Sequence, residues 1–241
     1  MIYGLILAAG SGKRMGEKIP KQYMKVGEKT IISLTVRRFI ESGYFDKLLV
    51  LVPEDRLKYT EKILAEDFGG NNDIDVIIGG KLRNDTIIKG INFIEERYGL
   101  DDETLLITHD GARPFVDEET LAANINALKL HDVCDTVIPA TDTIIKSEKG
   151  DYLDEIPDRK YLYQSQTLQF FKAKKFRKYY LSLDEAERLE LTDAIKVFAI
   201  KKEQVYLVKG TSTNIKITYP SDIILAEAIL RNQYKNCVYK S

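Results

Sequence analysis

An apolar run near the start of the chain stops abruptly in small residues and glycine. It reads Gly4-Leu5-Ile6-Leu7-Ala8-Ala9-Gly10-Ser11-Gly12, with Lys13, Arg14, Met15, Gly16, Lys18 and Pro20-Lys21-Gln22 close behind. Few folds accommodate that order of events. A strand must run into a sharp turn whose backbone N–H groups are open to an anion, because alanine and glycine carry little or nothing on the backbone and glycine reaches the required dihedrals. Lys13, Arg14, Lys18 and Lys21 then add charge suited to a triphosphate and its reaction. A strand–turn–helix with merely solvated lysines is the alternative, and the placement of the cations in the turn rather than on a helix face argues against it. Two familiar glycine loops fail on spacing. Gly10, Gly12 and Gly16 leave one residue too many for G-x-G-x-x-G, and no glycine pair is followed by Lys-Ser or Lys-Thr as a P-loop requires.

The remaining chain supports a sheet behind that loop. Apolar, β-rich runs at Ile2–Ala9, Lys47–Pro53, Asp75–Ile78, Thr104–His109 and Val133–Pro139 alternate with helical patterns near Ile31–Ser42, Asp55–Glu66, Asn84–Arg97 and Glu118–Leu130. Near-continuous apolar strands with helices between them predict an α/β fold in three layers: a mostly parallel, twisted, Rossmann-like sheet with helices on both faces. The segment from 141 to 162 breaks the rhythm with Gly150, Pro157 and mixed charge, and reads as an extended arm inserted into one domain spanning 1–241. Helices near Ala173–Tyr180 and Leu191–Ala199, a strand at Gln204–Val208, a short apolar strand around Lys216 and a final helix from Pro220 to Asn232 complete the reading.

Charge and cysteine content narrow the partners. Lys plus Arg totals 36 against 37 for Asp plus Glu, so no global field draws the chain to nucleic acid or a membrane. Cys134 and Cys237 make neither a disulfide framework nor a metal quartet, and a reducing cytoplasmic setting fits. The first apolar run leads straight into the glycine loop, as a first strand does and a signal peptide does not.

Other polar clusters fall at strand ends, where ligands of such sheets bind. Gly79-Gly80-Lys81-Leu82-Arg83-Asn84-Asp85-Thr86 pairs glycines that admit a flat base or ribose with an arginine opening a helix. Thr108-His109-Asp110-Gly111-Ala112-Arg113-Pro114 offers Asp110 to a ribose hydroxyl or a metal ion and Arg113 to phosphate or to the loop itself; His109 reads as structural. Asp142-Thr143 and Asp158-Arg159 on the arm, Gln166-Thr167 after it, Thr192-Asp193 as a helix cap, and Asn214-Ile215-Lys216 supply further hydroxyls and cations. Each cluster taken alone also fits an ordinary turn, cap or solvated side chain.

Taken in order, these motifs resemble the CTP-dependent cytidylyltransferases that activate small polyol phosphates. The resemblance runs from Ala8-Ala9-Gly-x-Gly-x-Arg14-Met15 and Pro20-Lys21-Gln22 through Gly79-Gly80-x-x-Arg83, His109-Asp110-x-x-Arg113-Pro114, Asp158-Arg159, Gln166-Thr167 and Thr192-Asp193 to Asn214-Ile215-Lys216. It implies CTP bound by Leu7, Ala8, Ala9, Gly10, Ser11, Gly12, Lys13, Gly80, Lys81, Arg83, Thr86, Asp110, Gly111 and Arg113. It further implies Arg14 and Lys21 at the reacting phosphates, and Arg159, Lys216, Thr143 and Thr167 at the acceptor phosphate. Magnesium would bridge phosphate oxygens, with Asp110 as its candidate protein ligand. The arm at 141–162 would reach across the two-fold axis of a homodimer. Of two close branches, the one acting on ribitol 5-phosphate is favoured by the stretch from Leu181 to Lys196 and by Tyr163-Gln164-x-Gln166-Thr167. The other acts on 2-C-methyl-D-erythritol 4-phosphate. Lys81 stands where the isoprenoid enzyme has aspartate, and Leu168 where proline is usual. A rival of another class, a nucleotide-binding regulator without chemistry, is disfavoured by the presence of both Arg14 and Lys21.

Overall fold

The structure, a computed structural model, describes residues 1–10 and 19–238. In chain order the elements are β1 (Ile2–Leu7), β2 (Lys25–Val26), β3 (Lys29–Thr30), α1 (Ile31–Ser42), β4 (Lys47–Val52), α2 (Leu57–Phe68), β5 (Ile74–Ile78), α3 (Arg83–Tyr98), β6 (Leu105–Asp110), α4 (Glu118–Ala127), β7 (Val133–Pro139), β8 (Tyr163–Lys172), α5 (Ala173–Leu181), α6 (Glu185–Leu189), α7 (Ile195–Ile200), β9 (Tyr206–Lys209) and α8 (Pro220–Val238). Seven strands form one sheet in the order β5-β4-β1-β6-β8-β7-β9, and β2 and β3 form a separate hairpin. β8 runs antiparallel to both of its neighbours, while the other pairings in the large sheet are parallel.

The apolar strands are buried on both faces because successive side chains point to opposite sides. Ile6, Val50, Val52, Ile107 and Phe170 pack with Val36 and Phe39 of α1, Leu64 of α2 and Leu121 of α4. Tyr3, Leu5, Leu49, Leu51, Leu106 and Phe171 pack on the other face with Ile87, Ile91 and Ile94 of α3, Phe176 and Tyr180 of α5 and Phe198 of α7. Local signals fix the helix ends. The Thr30 hydroxyl accepts from the Ser33 N–H at 3.3 Å to start α1, and Gly43 closes it at φ 67°. Asp117 accepts from the Thr120 N–H at 2.8 Å to start α4. Among the described residues no helix is long and apolar enough to cross a membrane.

Several elements differ from the sequence expectation. β8 was not foreseen as a strand; it lies between β6 and β7 and carries Gln166, Thr167 and Gln169 into the interior. Residues around Lys216 are not a strand but an extended segment tied down by the Ile217 N–H to the Ala112 carbonyl (2.9 Å) and the Asn214 amide to the Thr167 carbonyl (2.7 Å). The helix expected from Leu191 begins only at Ile195, where the Asp193 carboxylate accepts from the Lys196 N–H at 2.9 Å. A one-turn helix at Glu54–Arg56 delays α2 to Leu57. The arm at 141–162 is extended: one bridge, Lys146 to Glu155, crosses it, and the Ala140 N–H to the Leu162 carbonyl (3.0 Å) closes its base. Ile145, Tyr152, Leu153, Ile156 and Tyr161 on the arm are exposed.

Beneath the sheet surface, Asp135 of β7 accepts from the Gln169 amide at 3.1 Å, while the Gln169 amide oxygen is buried without a partner. Burial, the largest influence, pushes the Asp135 carboxyl up to about 6. A carboxyl raised in the folded state binds its proton more tightly there than in the unfolded chain, so its penalty is absent below about pH 4 and grows as pH rises to about 6. Asp135→Asn removes the charge and keeps an amide oxygen that accepts from the Gln169 amide. Thermal unfolding should show the variant more stable than the wild type at pH 7.5, by roughly 1–3 kcal/mol, with the gain vanishing near pH 4.

Candidate active site

The chemistry-bearing loops converge where the strand order reverses. β1 has β4 on one side and β6 on the other, and its last residue, Leu7, lies opposite Asp110 at the end of β6. A crevice outside the carboxyl ends of parallel strands is where open α/β sheets bind ligands. Here it is a cleft of about 360 Å³ bordered by Leu7 to Gly10, Lys21, Gln22, Gly80 to Arg83, Thr86, Asp110 to Ala112, Lys216 and Thr218. Three loops close on one another at its base. A Cβ on Gly79 would stand 2.6 Å from the Ala9 methyl, and one on Gly111 would stand 2.9 Å from the Ala8 methyl. Small residues are therefore demanded here by loop-to-loop contact. Gly79 makes room for Ala9, not for the flat ligand its motif led us to expect. The Ala8 N–H donates to the Leu51 carbonyl at 2.8 Å, which extends the sheet and leaves that group unavailable to phosphate.

Asp110 is the electrostatic centre. Its carboxylate is almost fully buried and contacts Arg83, the Lys216 ammonium at 2.8 Å and the Arg113 guanidinium at 3.4 Å. Burial by itself would raise this carboxyl; the charges of Arg83, Lys216 and Arg113 outweigh it and hold the group well below the usual carboxylate range. Arg113 also donates to the Asn214 carbonyl at 2.7 Å, which fixes the segment carrying Lys216. Beneath, the Thr167 hydroxyl accepts from the Asp110 N–H at 3.2 Å and meets His109 Nδ1 at 3.0 Å. Burial, the largest influence, pushes His109 down to about 4, so the ring is neutral between Thr167 and the Arg113 carbonyl.

The expected residues thus divide into groups. Leu7, Ala8, Ala9, Gly10, Lys21, Gly80, Lys81, Arg83, Thr86, Asp110, Gly111 and Lys216 border one cleft. Arg113 stands behind Asp110, and Thr167 lies under the floor with its hydroxyl engaged. Thr143 and Arg159 are on the exposed arm, outside the cleft lining, where Arg159 donates to the Thr141 carbonyl at 2.6 Å. Ser11, Gly12, Lys13 and Arg14 lie outside the described residues. Gln22 borders the cleft although sequence reasoning gave it no role; its only signal was its place after Pro20-Lys21.

The described residues of the lining do not by themselves build a magnesium site. Asp110 is the one carboxylate among the described residues of the lining, both its oxygens are engaged by cations, and no group of three or more potential metal ligands occurs among the described residues.

The sequence pattern of the family IspD, 2-C-methyl-D-erythritol 4-phosphate cytidylyltransferase, matches residues 2–232. The chain belongs to the IspD family. That membership makes it a nucleotidyltransferase of the cytidylyltransferase class. Within the family's range, the chain is 36% identical over 234 residues to the ribitol-5-phosphate cytidylyltransferase of Lactiplantibacillus plantarum, covering 97% of this chain and 100% of that one. It superposes with a TM-score of 0.79 on the 4-diphosphocytidyl-2C-methyl-D-erythritol synthase of Anaerococcus prevotii, at 29% identity and 96% coverage of both chains. The Francisella tularensis IspD structure shares the fold with a TM-score of 0.77 at 24% identity, covering 93% of this chain and 97% of that one.

Removing the Asp110 charge leaves its cations without their common partner. Asp110→Asn should lower unfolding stability at neutral pH by about 3 kcal/mol, measured by denaturant titration. Because the folded carboxyl is held low, the wild type's advantage should be complete above about pH 4 and shrink only in stronger acid.

Proposed function

We propose that this IspD-family protein transfers CMP from CTP to D-ribitol 5-phosphate, giving CDP-ribitol and pyrophosphate, as a step towards a teichoic-acid or capsule polymer of the cell wall. The observation that carries the acceptor is the likeness to the ribitol enzyme over nearly the whole of both chains. The cleft supports the donor half: Lys21, Arg83 and Lys216 ring a pocket walled by alanine and glycine, a setting suited to a triphosphate.

An oxygen of the acceptor phosphate attacks the α-phosphorus of CTP in line. A new P–O bond forms as the bond from the α-phosphorus to the bridging oxygen breaks, and pyrophosphate leaves with that electron pair. The nucleophile is already anionic, so no side chain need form a covalent intermediate, and catalysis consists of positioning and charge stabilisation. In this reading Arg14 and Lys21 stabilise the transition state and the departing pyrophosphate, while Lys216 and Arg159 orient the acceptor phosphate. Magnesium carried on the nucleotide's own phosphate oxygens would add charge neutralisation. The exposed apolar side chains of the arm support a C2 homodimer in which Thr143 and Arg159 complete the neighbour's site.

Pyrophosphate release from CTP should be compared for ribitol 5-phosphate, ribulose 5-phosphate and 2-C-methyl-D-erythritol 4-phosphate. The highest kcat/KM is expected with ribitol 5-phosphate; a higher value with the methylerythritol substrate overturns the acceptor, and CTP binding without any release points to a regulator. Arg14→Ala should lower kcat by about 100-fold or more while CTP affinity changes little. Arg159→Ala should raise KM for the acceptor and leave that for CTP alone. Mixed dimers of Arg14→Ala and Arg159→Ala subunits should recover activity that neither parent has at low acceptor, because one of their two sites would be intact. No recovery would place the arm in its own subunit's site.

A further inference from the structure

Gln22 is a polar side chain only 3% exposed, in a one-turn helix spanning Lys21–Tyr23. Its side-chain amide nitrogen donates to the Ala8 carbonyl at 2.7 Å and to the Gly10 carbonyl at 3.3 Å. The turn beneath it is held on every side. The Tyr23 hydroxyl meets the Thr60 hydroxyl of α2 at 2.8 Å, the Tyr23 N–H donates to the Pro20 carbonyl at 2.9 Å, and the Ile31 N–H at the start of α1 donates to the Met24 carbonyl at 2.9 Å. A primary amide has two donors on one nitrogen, and here both point at main-chain carbonyls of the glycine loop. The planar trans peptide fixes the consequence: with the Ala8 carbonyl drawn towards Gln22, the Ala9 N–H on the opposite edge of that peptide is turned away from it.

We infer that Gln22 is a positioning residue that clamps the start of the glycine loop at Ala8 and Gly10 and so sets the direction in which the Ala9 N–H is presented to the nucleotide phosphates. The inference rests on the proposed nucleotide site and adds a residue to it. Lys21 and Gln22 then act from one rigid turn, the lysine bordering the cleft and the glutamine fixing the backbone that faces it. Glutamate cannot substitute when ionised, because a carboxylate has no donor and would confront two carbonyl oxygens. Protonated, it regains a single O–H donor. Methionine fills the same space with no donor at all.

The test compares the wild type with Gln22→Met and Gln22→Glu, using calorimetric CTP binding, steady-state kinetics and thermal unfolding. Gln22→Met should lose about tenfold or more in kcat/KM for CTP at every pH, with matching loss of CTP affinity. Gln22→Glu should show a comparable or larger deficit near pH 8 that shrinks towards about pH 6, where the carboxyl, raised by burial against carbonyls, takes up its proton. An ionised carboxylate buried anywhere also costs stability, so the recovery is read well below each variant's unfolding temperature, where the fold is intact and a general packing role leaves CTP binding unchanged; Gln22→Glu carries the test if Gln22→Met folds poorly. Gln22→Met within twofold of the wild type, or a Gln22→Glu deficit that does not vary with pH, overturns the clamp while leaving the nucleotide site intact. A wild type that neither binds CTP nor releases pyrophosphate overturns the site itself, and the clamp with it.

Discussion

A carboxylate at the end of a central strand, almost sealed from water and surrounded by cations, is costly to fold around. Asp110 meets Arg83, Arg113 and Lys216, and each of those side chains comes from a different stretch of chain. Arg83 opens α3, Arg113 follows β6, and Lys216 sits in the extended segment before α8. Burying one carboxylate with several cations adds little net stability compared with an apolar cluster, because desolvation offsets most of the attraction. It does fix geometry: the carboxylate admits few arrangements of its partners, so three segments are gathered at the reversal point of the sheet. Among the described residues the positive charge also exceeds the negative at that spot. A surplus of cations anchored on one buried anion would suit the phosphates of the proposed nucleotide, since the groups are oriented before a ligand arrives and need little further ordering.

The antiparallel strand β8 supports this arrangement from below. By separating β6 from β7 it brings the Thr167 hydroxyl to the Asp110 N–H and the Thr167 carbonyl to Asn214. The floor of the cleft and the segment bearing Lys216 therefore share one strand. β8 also explains where the arm leaves the fold. β7 and β8 are adjacent and antiparallel, so the arm is the connection of a hairpin, and residues 141–162 extend it far beyond the few residues such a turn needs.

How much of this the sequence revealed depends on what kind of contact made each element. The parallel strands were legible because Leu48 to Val52 and Leu5 to Leu7 are apolar without a break, which only a strand covered on both faces explains. The glycine loop, Gly80–Arg83 and Asp110 were legible as strand-end clusters. β8 was not, because Gln164, Ser165, Gln166, Thr167 and Gln169 interrupt any apolar pattern, and the burial of Gln166, Thr167 and Gln169 depends on partners such as Asp135, Asn214 and Thr211 far along the chain. The extended segment around Lys216 read as a strand for the converse reason: Ile215 and Ile217 alternate correctly, but their partners are a loop and the hairpin core, not a neighbouring strand. Gln22 stood in the Pro20-Lys21-Gln22 motif without a role, because nothing in a sequence marks a buried amide whose two acceptors lie in a loop already passed.

The two halves of the proposed reaction are unequally provided for within one chain. A triphosphate is recognised by generic means, cations and close backbone approach, and the cleft supplies these from residues of this chain. An acceptor of this class also brings a phosphate, so the same cations cannot tell ribitol from methylerythritol. Discrimination has to come from groups that touch the carbon skeleton and its hydroxyls. Leu168, the departure beside Thr167, is fully buried in the core and does not border the cleft, so its influence runs through the packing of β8. In the proposed reaction that part falls to the arm, with Thr143 and Arg159 on a segment whose side chains are exposed along almost all of its length. In the proposed dimer, a donor site completed inside the chain and an acceptor site completed by the partner's arm would let related proteins keep one reaction while exchanging the substrate that receives the nucleotide, because changes on an exposed arm leave the buried Asp110 cluster undisturbed.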